Sequence, residues 1–407
     1  MQNYNPFKPG SIVSPGMFTG RVDELRQLMR ILFQTKNGNP SHFLIHGERG
    51  IGKSSLLLYL QCIAEGKFED FEGKKYNFLT ISTDLEPDIT YIQLLKKLGT
   101  ELSKSVESHS KLKGAANATW EFITRWEVLG VKYTTPTGTE HPHEILDELV
   151  DSFIQTLNNL DETFDGILLL IDEADKPSHN ANLGEFVKLF SERLTKKNAT
   201  RVAIGLSGIS TIIPKLRKSH ESSLRVLEMF SLAPLLPDER IQVLGRALEE
   251  ANLKNGIVTT FSSDAQEWIS QFSQGYPHFI QQFGFCAFNE DKNNVIEIED
   301  VRTGAYRENG AFQQLGIKYF HDLYFDQIAS DQYRSVLQAM AQHSDDWITK
   351  AQIRKEAGVK DHIVNNAIAA LKKRNIIIPK AGTPGVYKLP SKAFAVWINA
   401  ITQARSN

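Results

Sequence analysis

Cysteine is nearly absent from this chain: Cys62 and Cys286 are the only two among 407 residues. Two isolated thiols, each inside a helical pattern, make neither a zinc site nor a disulfide framework, so buried thiols in a reducing compartment are expected. No segment approaches the ~18 uninterrupted apolar residues of a spanning helix. The start, Met1-Gln2-Asn3-Tyr4-Asn5-Pro6, has no basic region followed by an apolar stretch, so no signal peptide is expected either. These absences point to the cytoplasm and away from a membrane. Net charge is small as well, −2 in total, but unevenly spread. Residues 350–392 carry ten Lys and Arg against two acids, a net +8, which leaves −10 for the remainder. One basic end on an acidic body suggests an anionic partner for that end. The length exceeds what one hydrophobic core usually supports, so two or three domains are expected.

Residues 47–54 read Gly47-Glu48-Arg49-Gly50-Ile51-Gly52-Lys53-Ser54, with Ser55 next, and fit the phosphate-binding pattern G-x-x-x-x-G-K-[ST] at every fixed position. An apolar run, His42 to His46, precedes the loop, and Ser55-Leu56-Leu57-Leu58-Tyr59-Leu60 can continue as a helix. That strand–loop–helix context is what the pattern requires. Glycines let the backbone curl so that its N–H groups point inward, and the helix N-terminus adds positive partial charge. Lys53 then neutralises the β- and γ-phosphates of ATP, and the Ser54 hydroxyl ligates Mg²⁺. A second element lies at Asp165-Gly166-Ile167-Leu168-Leu169-Leu170-Ile171-Asp172-Glu173. A continuous apolar run of this kind is expected of a parallel strand buried on both faces. Asp172 emerges at the carboxyl end of that strand, where open α/β sheets bind ligands. There it can hold the metal through its hydration shell, while Glu173 polarises a water for attack on the γ-phosphate.

Around these two motifs the pattern alternates. Helices are expected from Val22, over 91–105 and over 144–160, with strands at 76–82, 202–206 and 229–232. Five strands alternating with helices predict a doubly wound α/β parallel sheet of the P-loop NTPase kind. Residues 106–140 break the alternation and read as a β-hairpin insertion. From Pro237 strands cease, and helical patterns at 237–252, 263–273, 276–289 and 298–328 predict an all-helical lid. Helices at 331–343, 350–357 and 360–374, followed by Ile376-Ile377-Ile378-Pro379-Lys380 and Val386-Tyr387-Lys388-Leu389, follow the plan of a winged helix-turn-helix. The expected domains are therefore 1–236, including an N-terminal arm, 237–328 and 329–407.

Three further stretches carry a family likeness: Asn5-Pro6-Phe7-Lys8-Pro9-Gly10, Met17-Phe18-Thr19-Gly20-Arg21-Val22-Asp23-Glu24-Leu25 and Gly275-Tyr276-Pro277. With the phosphate loop and Asp172-Glu173, they resemble the AAA+ ATPases of the origin-recognition-like group, and their relatives the STAND signalling ATPases. The resemblance spans about residues 5–390. It implies that Gly20 and Arg21 lie near the adenine, that Ser207 is a polar sensor orienting the attacking water, and that Pro277 in the lid contacts the nucleotide. It also implies a trans-acting arginine, Arg225 first and Arg217 second, and hence a homo-oligomer in the ATP-bound state. Many relatives carry a sensor arginine in the lid where this chain reads Gly275-Tyr276-Pro277-His278, a departure that favours a slow hydrolase or switch.

In the 360–374 helix, Val364, Ile368 and Leu371 recur at i, i+4 and i+7 and should face the core. His362, Asn366 and Lys373 then point outward, with Ala369 between them. Small and polar residues there suit a major groove, while Lys360, Lys372, Lys373, Arg374 and wing Lys380 suit phosphates, which predicts double-stranded DNA as a partner. The competing expectation is a STAND-like ATPase whose C-terminal domain contacts a protein partner.

Overall fold

A computed structural model describes residues 3–13, 15–109, 142–160, 162–328, 330–343, 346–374, 376–389 and 392–406. The hairpin expected at 106–140 therefore lies, from residue 110 onward, outside the described residues. The chain divides into two compact units, one of residues 12–233 and one of residues 1–11 with 234–407.

The 12–233 unit alternates strands and helices. In chain order these are α1 (Val22–Lys36), β1 (His42–His46), α2 (Lys53–Ala64), β2 (Phe78–Asp84), α3 (Tyr91–Glu107), α4 (Pro142–Asn159), β3 (Gly166–Asp172), α5 (Leu183–Lys196), β4 (Val202–Gly208), α6 (Ile212–Ser219) and β5 (Leu227–Ser231). The five strands form one sheet in the order β2-β3-β4-β1-β5, every pair parallel. Ile167 to Ile171 are fully buried, as a strand covered on both faces requires. Phe43 on β1 lies in register with Gly205 on β4, where a β-carbon would come within 2.1 Å of the ring. The glycine therefore leaves room for the Phe43 ring to lie across β4. His42 at the start of β1 is buried; the Ile204 amide donates to its Nδ1 at 3.2 Å, and Nε2 lies 2.8 Å from Ser191 Oγ. Burial lowers its pKa to about 4, so the ring is neutral.

The second unit is helical. It contains α7 (Pro237–Asn255), β6 (Thr260–Phe261), α8 (Ser263–Ser273), α9 (Pro277–Glu290), β7 (Val295–Ile296), α10 (Ile298–Tyr306) and α11 (Ala311–Leu315). Two π-helical turns follow, Gly316–Phe320 and Asp322–Asp326. The helix expected over 298–328 is thus broken, at Asn309 (φ 58°) and Gly310 and again by the π turns. Gly316 lets the Trp397 indole pack against the backbone of the first π turn, since a β-carbon there would meet it at 2.5 Å.

Beyond residue 330 come α12 (Asp331–Ala341), β8 (Ile348–Thr349), α13 (Lys350–Ala357), α14 (Asp361–Lys373), β9 (Ile378–Pro379), β10 (Val386–Lys388) and α15 (Lys392–Ser406). The strands form an antiparallel sheet in the order β8-β10-β9. Three helices with such a sheet make a winged-helix arrangement. Its third strand, β8, is two residues long and was not evident from composition. The last helix, α15, anchors this region, with the Trp397 indole N–H donating to the Phe312 carbonyl at 3.1 Å.

The N-terminal arm, expected to belong with the nucleotide core, groups with the helical unit. Phe7 is buried against Gly284, where a β-carbon would meet its ring at 2.5 Å, and lies edge-on to Phe261 and Phe288. Tyr4 exchanges backbone bonds with the Asn255 side chain and donates its hydroxyl to Glu250 at 2.6 Å. Among the described residues, no helix is long and apolar enough to cross a membrane.

Candidate functional site

In a parallel sheet every strand ends at the same edge, and here that edge gathers the predicted groups of the 12–233 unit. β1 delivers the loop 47–52, which runs into α2 at Lys53. Gly50 (φ 79°) and Gly52 (φ 97°) take left-handed conformations that side chains resist, so the loop can curl only with glycine there. No side chain caps α2, whose N-cap is Gly52, so its first-turn amides are not spent on a side-chain cap. Glu48 and Arg49 are exposed at the crest, whereas Ile51 is buried and anchors the loop from beneath. The Lys53 ammonium donates to the carbonyls of Gly47 at 3.2 Å and Glu48 at 2.8 Å. Burial lowers its pKa, opposed by the carboxylates of Asp175, Asp172 and Glu48, and Arg49 lowers it further. Ser54 and Ser55, in the first turn of α2, are half-buried.

Asp172 closes β3, directly opposite Asp84 of β2. β3 lies two strand spacings from β1, about 10 Å, with β4 between them. The Asp172 carboxylate accepts the Glu173 amide at 2.8 Å. Glu173 itself has φ 50°, a left-handed backbone uncommon for a residue with a side chain and frequent at functional sites. Its carboxylate forms an ion pair with Lys176. Ser207, in the intervening β4, is fully buried, and its Oγ has no hydrogen-bond partner among the described residues. The Ser207 carbonyl accepts the Ala174 amide at 2.8 Å, which ties the turn after β3 to β4.

These groups fit a magnesium nucleotide. An uncapped helix N-terminus and a desolvated ammonium suit phosphates, and the Ser54 hydroxyl and Asp172 carboxylate are the hard oxygen donors that Mg²⁺ prefers. Across residues 17–195 the chain matches the AAA ATPase domain family. The chain carries an AAA ATPase domain.

Two kinds of similarity extend beyond that domain. An uncharacterized HTH-type transcriptional regulator of Methanocaldococcus jannaschii is 24% identical over 283 residues, 68% of this chain and 65% of that protein, so the match leaves about a third of the relative uncovered. The ORC2 protein of Aeropyrum pernix, in its ADP form, superposes with a TM-score of 0.54 at 13% identity, covering 100% of this chain and 98% of that one. Its ADPNP–ADP complexes give 0.52 at 14% identity, covering 100% and 99%. At such identity the likeness concerns the fold: a five-stranded parallel AAA core with a helical remainder.

The remaining predicted residues are placed less uniformly. Arg21 is buried at the N-cap of α1, and its guanidinium donates to the Ile51 carbonyl of the phosphate loop at 3.1 Å and pairs with Glu24 at 3.4 Å. Beside Gly20, also left-handed, it braces the loop of the AAA ATPase domain from outside. Arg225 is exposed on the short 3₁₀ turn before β5, and Arg217 is exposed on α6. In the helical unit Pro277 occupies the first turn of α9, after Gly275 with φ 78°. His278 follows, half-buried, its pKa lowered to about 4 by burial and by Lys318. The helical unit holds an arginine that sequence reasoning missed. Arg240 of α7 donates to the carbonyls of Leu235 at 2.8 Å and Ser270 at 2.9 Å, a structural use.

On α14 the expected faces are observed. Val364, Ile368 and Leu371 are buried, joined by Ala367, while Lys360, His362, Asn366, Ala369, Lys372 and Lys373 are exposed. Lys380 and Lys388 lie 5.7 and 4.9 Å from the ring centre of Trp347. Other basic groups of this region are engaged internally. Lys350 and Arg354 pair with Asp361 at 3.4 and 3.7 Å, and Arg374 donates to the Gln327 carbonyl.

Proposed function

We propose that this protein is a slow, ATP-dependent switch that binds double-stranded DNA through its C-terminal winged helix. In this reading Lys53 and the loop 47–55 hold the phosphates, and Ser54 and Asp172 hold Mg²⁺, which offsets phosphate charge. Glu173 activates the attacking water and Ser207 orients it. Gly20 and Arg21 belong to the nucleotide site, and Arg225 acts across a subunit boundary in an ATP-bound homo-oligomer. The protein works in the cytoplasm.

The observation that carries the DNA reading is the exposed face of α14. It presents His362 and Asn366 between Lys360 at one end and Lys372 and Lys373 at the other, with Lys380 on the wing. Short polar side chains flanked by lysines suit base edges flanked by phosphates. The name of the M. jannaschii relative, an HTH-type regulator, supports the same reading. A different observation favours a second one. Lys350, Arg354 and Arg374 are spent internally, which reduces the free charge available to phosphates. That suits a STAND-like ATPase whose C-terminal region contacts a protein.

The test is DNA retention by the full-length protein, with and without ATP, across a salt series. The DNA reading expects retention that falls steeply with salt and changes with nucleotide. Salt-insensitive behaviour with no retained DNA moves the assignment to a protein partner.

A further inference from the structure

Glu173 follows β3 and Ser207 lies in β4, yet hydrolysis needs both held in one geometry. A residue outside the predicted set connects them. The Asp175 carboxylate accepts the amide of Ile209, the residue just past β4, at 2.9 Å. Gly208, between Ser207 and Ile209, packs so tightly on it that a β-carbon would fall 2.8 Å from Asp175 Oδ1 and 3.1 Å from its backbone nitrogen. Next to this contact runs the Ala174 amide to Ser207 carbonyl bond at 2.8 Å. The turn is also gripped from α6, where the Lys215 ammonium donates to the Asp175 carbonyl and, at 2.9 Å, to the Pro177 carbonyl. Glu173, two residues before Asp175, keeps its left-handed backbone within this frame. Such conformations persist only where surrounding contacts over-determine them.

We propose that Asp175 is a positioning residue for ATP hydrolysis: it ties the ends of β3 and β4 together, so that Glu173 and Ser207 hold one fixed relation to the phosphate loop. The inference rests on the hydrolase reading above. Its chemistry is that of an acceptor oxygen. The Ile209 amide requires an oxygen at that position and does not require a charge.

Three variants of the full-length protein test it. Asp175→Ala removes the oxygen and is expected to lower kcat about tenfold or more, because small misplacements of reacting groups are costly. ATP affinity, measured separately by titration, stays within about threefold of the parent, since the loss concerns the transition state. Asp175→Asn retains an acceptor oxygen and restores turnover to within about threefold of the parent. Gly208→Ala drives a methyl against the same carboxylate and reproduces the Asp175→Ala pattern, provided its thermal unfolding shows a folded protein; Lys215→Met replaces it if not, giving the same pattern in milder form. Parental turnover in Asp175→Ala overturns the inference. So does an Asn variant as impaired as the Ala variant, which makes the charge the essential feature, or a parallel collapse of ATP affinity, which makes Asp175 a binding group. A parent protein with no ATP turnover overturns the hydrolase reading instead.

Discussion

In the 12–233 unit the central site groups are fixed by the fold: Lys53 on its own loop carbonyls, Asp172 on the Glu173 amide, Ser207 inside a buried strand. In the helical unit the lysines of α14 stand on an open helix surface, and only their apolar neighbours Val364, Ala367, Ile368 and Leu371 are fixed. The difference matches what each surface is proposed to meet. A small, highly charged ligand is recognised by preorganised dipoles at defined positions, and reorganising them at the moment of reaction would cost rate. A charged polymer is attracted by summed charge, which tolerates mobile side chains and is screened by salt. Single changes should therefore act steeply in the first unit and by degrees in the second.

The largest expected effect is at Lys53. Lys53→Ala leaves clustered phosphate charge uncompensated and should abolish ATP binding measurable by calorimetry. Unchanged affinity would remove the loop from the site. Glu173→Gln comes next: it should bind ATP as the parent does while hydrolysing it at least about tenfold more slowly, because an amide is a poor base. Turnover at the parental rate would take Glu173 out of the chemistry.

An intermediate effect is expected from His42, at the root of the strand that carries the phosphate loop. Its pKa is about 4 in the folded protein against 6.5 ordinarily. The unfolded chain therefore takes up the proton first. The stabilisation is full above pH 6.5 and is lost as pH falls from there towards 4, amounting to about 3 kcal/mol at most. Denaturation midpoints across that range should slope less in His42→Gln than in the parent. Equal slopes would place the acid sensitivity elsewhere.

The smallest effects belong to α14. Replacing Lys372 and Lys373 with alanine should weaken binding to every DNA sequence and shallow the log–log salt slope by up to about two units. Asn366→Ala should leave the slope alone and change sequence preference, since an amide can pair bidentately with an adenine edge. An abrupt, all-or-none loss from either change would contradict the graded behaviour expected of this surface.

The sequence made the α/β unit more legible than the helical one, for a physical reason. Phosphate binding forces glycine, lysine and serine into one short window, so residues 47–54 carry the geometry locally. β3 is buried on both faces, so its apolar run and the emergence of Asp172 can be read in order. On α14 the 3.6-residue period gave the buried face correctly. The helical unit offered only periodicity, and periodicity does not report where a helix must break to admit another side chain. Near Gly316, where the winding turns π-helical, the backbone packs against the Trp397 indole, 81 residues away in sequence.

By itself, then, the sequence determined the nucleotide loop, the acidic strand end, the five-strand alternation and the basic helix at the C-terminal end, because each is written in neighbouring residues. Tertiary structure alone decided that the arm bearing Phe7 joins the helical unit, that Arg21 braces the loop at Ile51, that Arg374 is spent on a carbonyl, and that Asp175 links two strands. Each of these is a contact between distant segments, fixed by shape and by the need to pair polar groups, and such contacts leave no spacing to read.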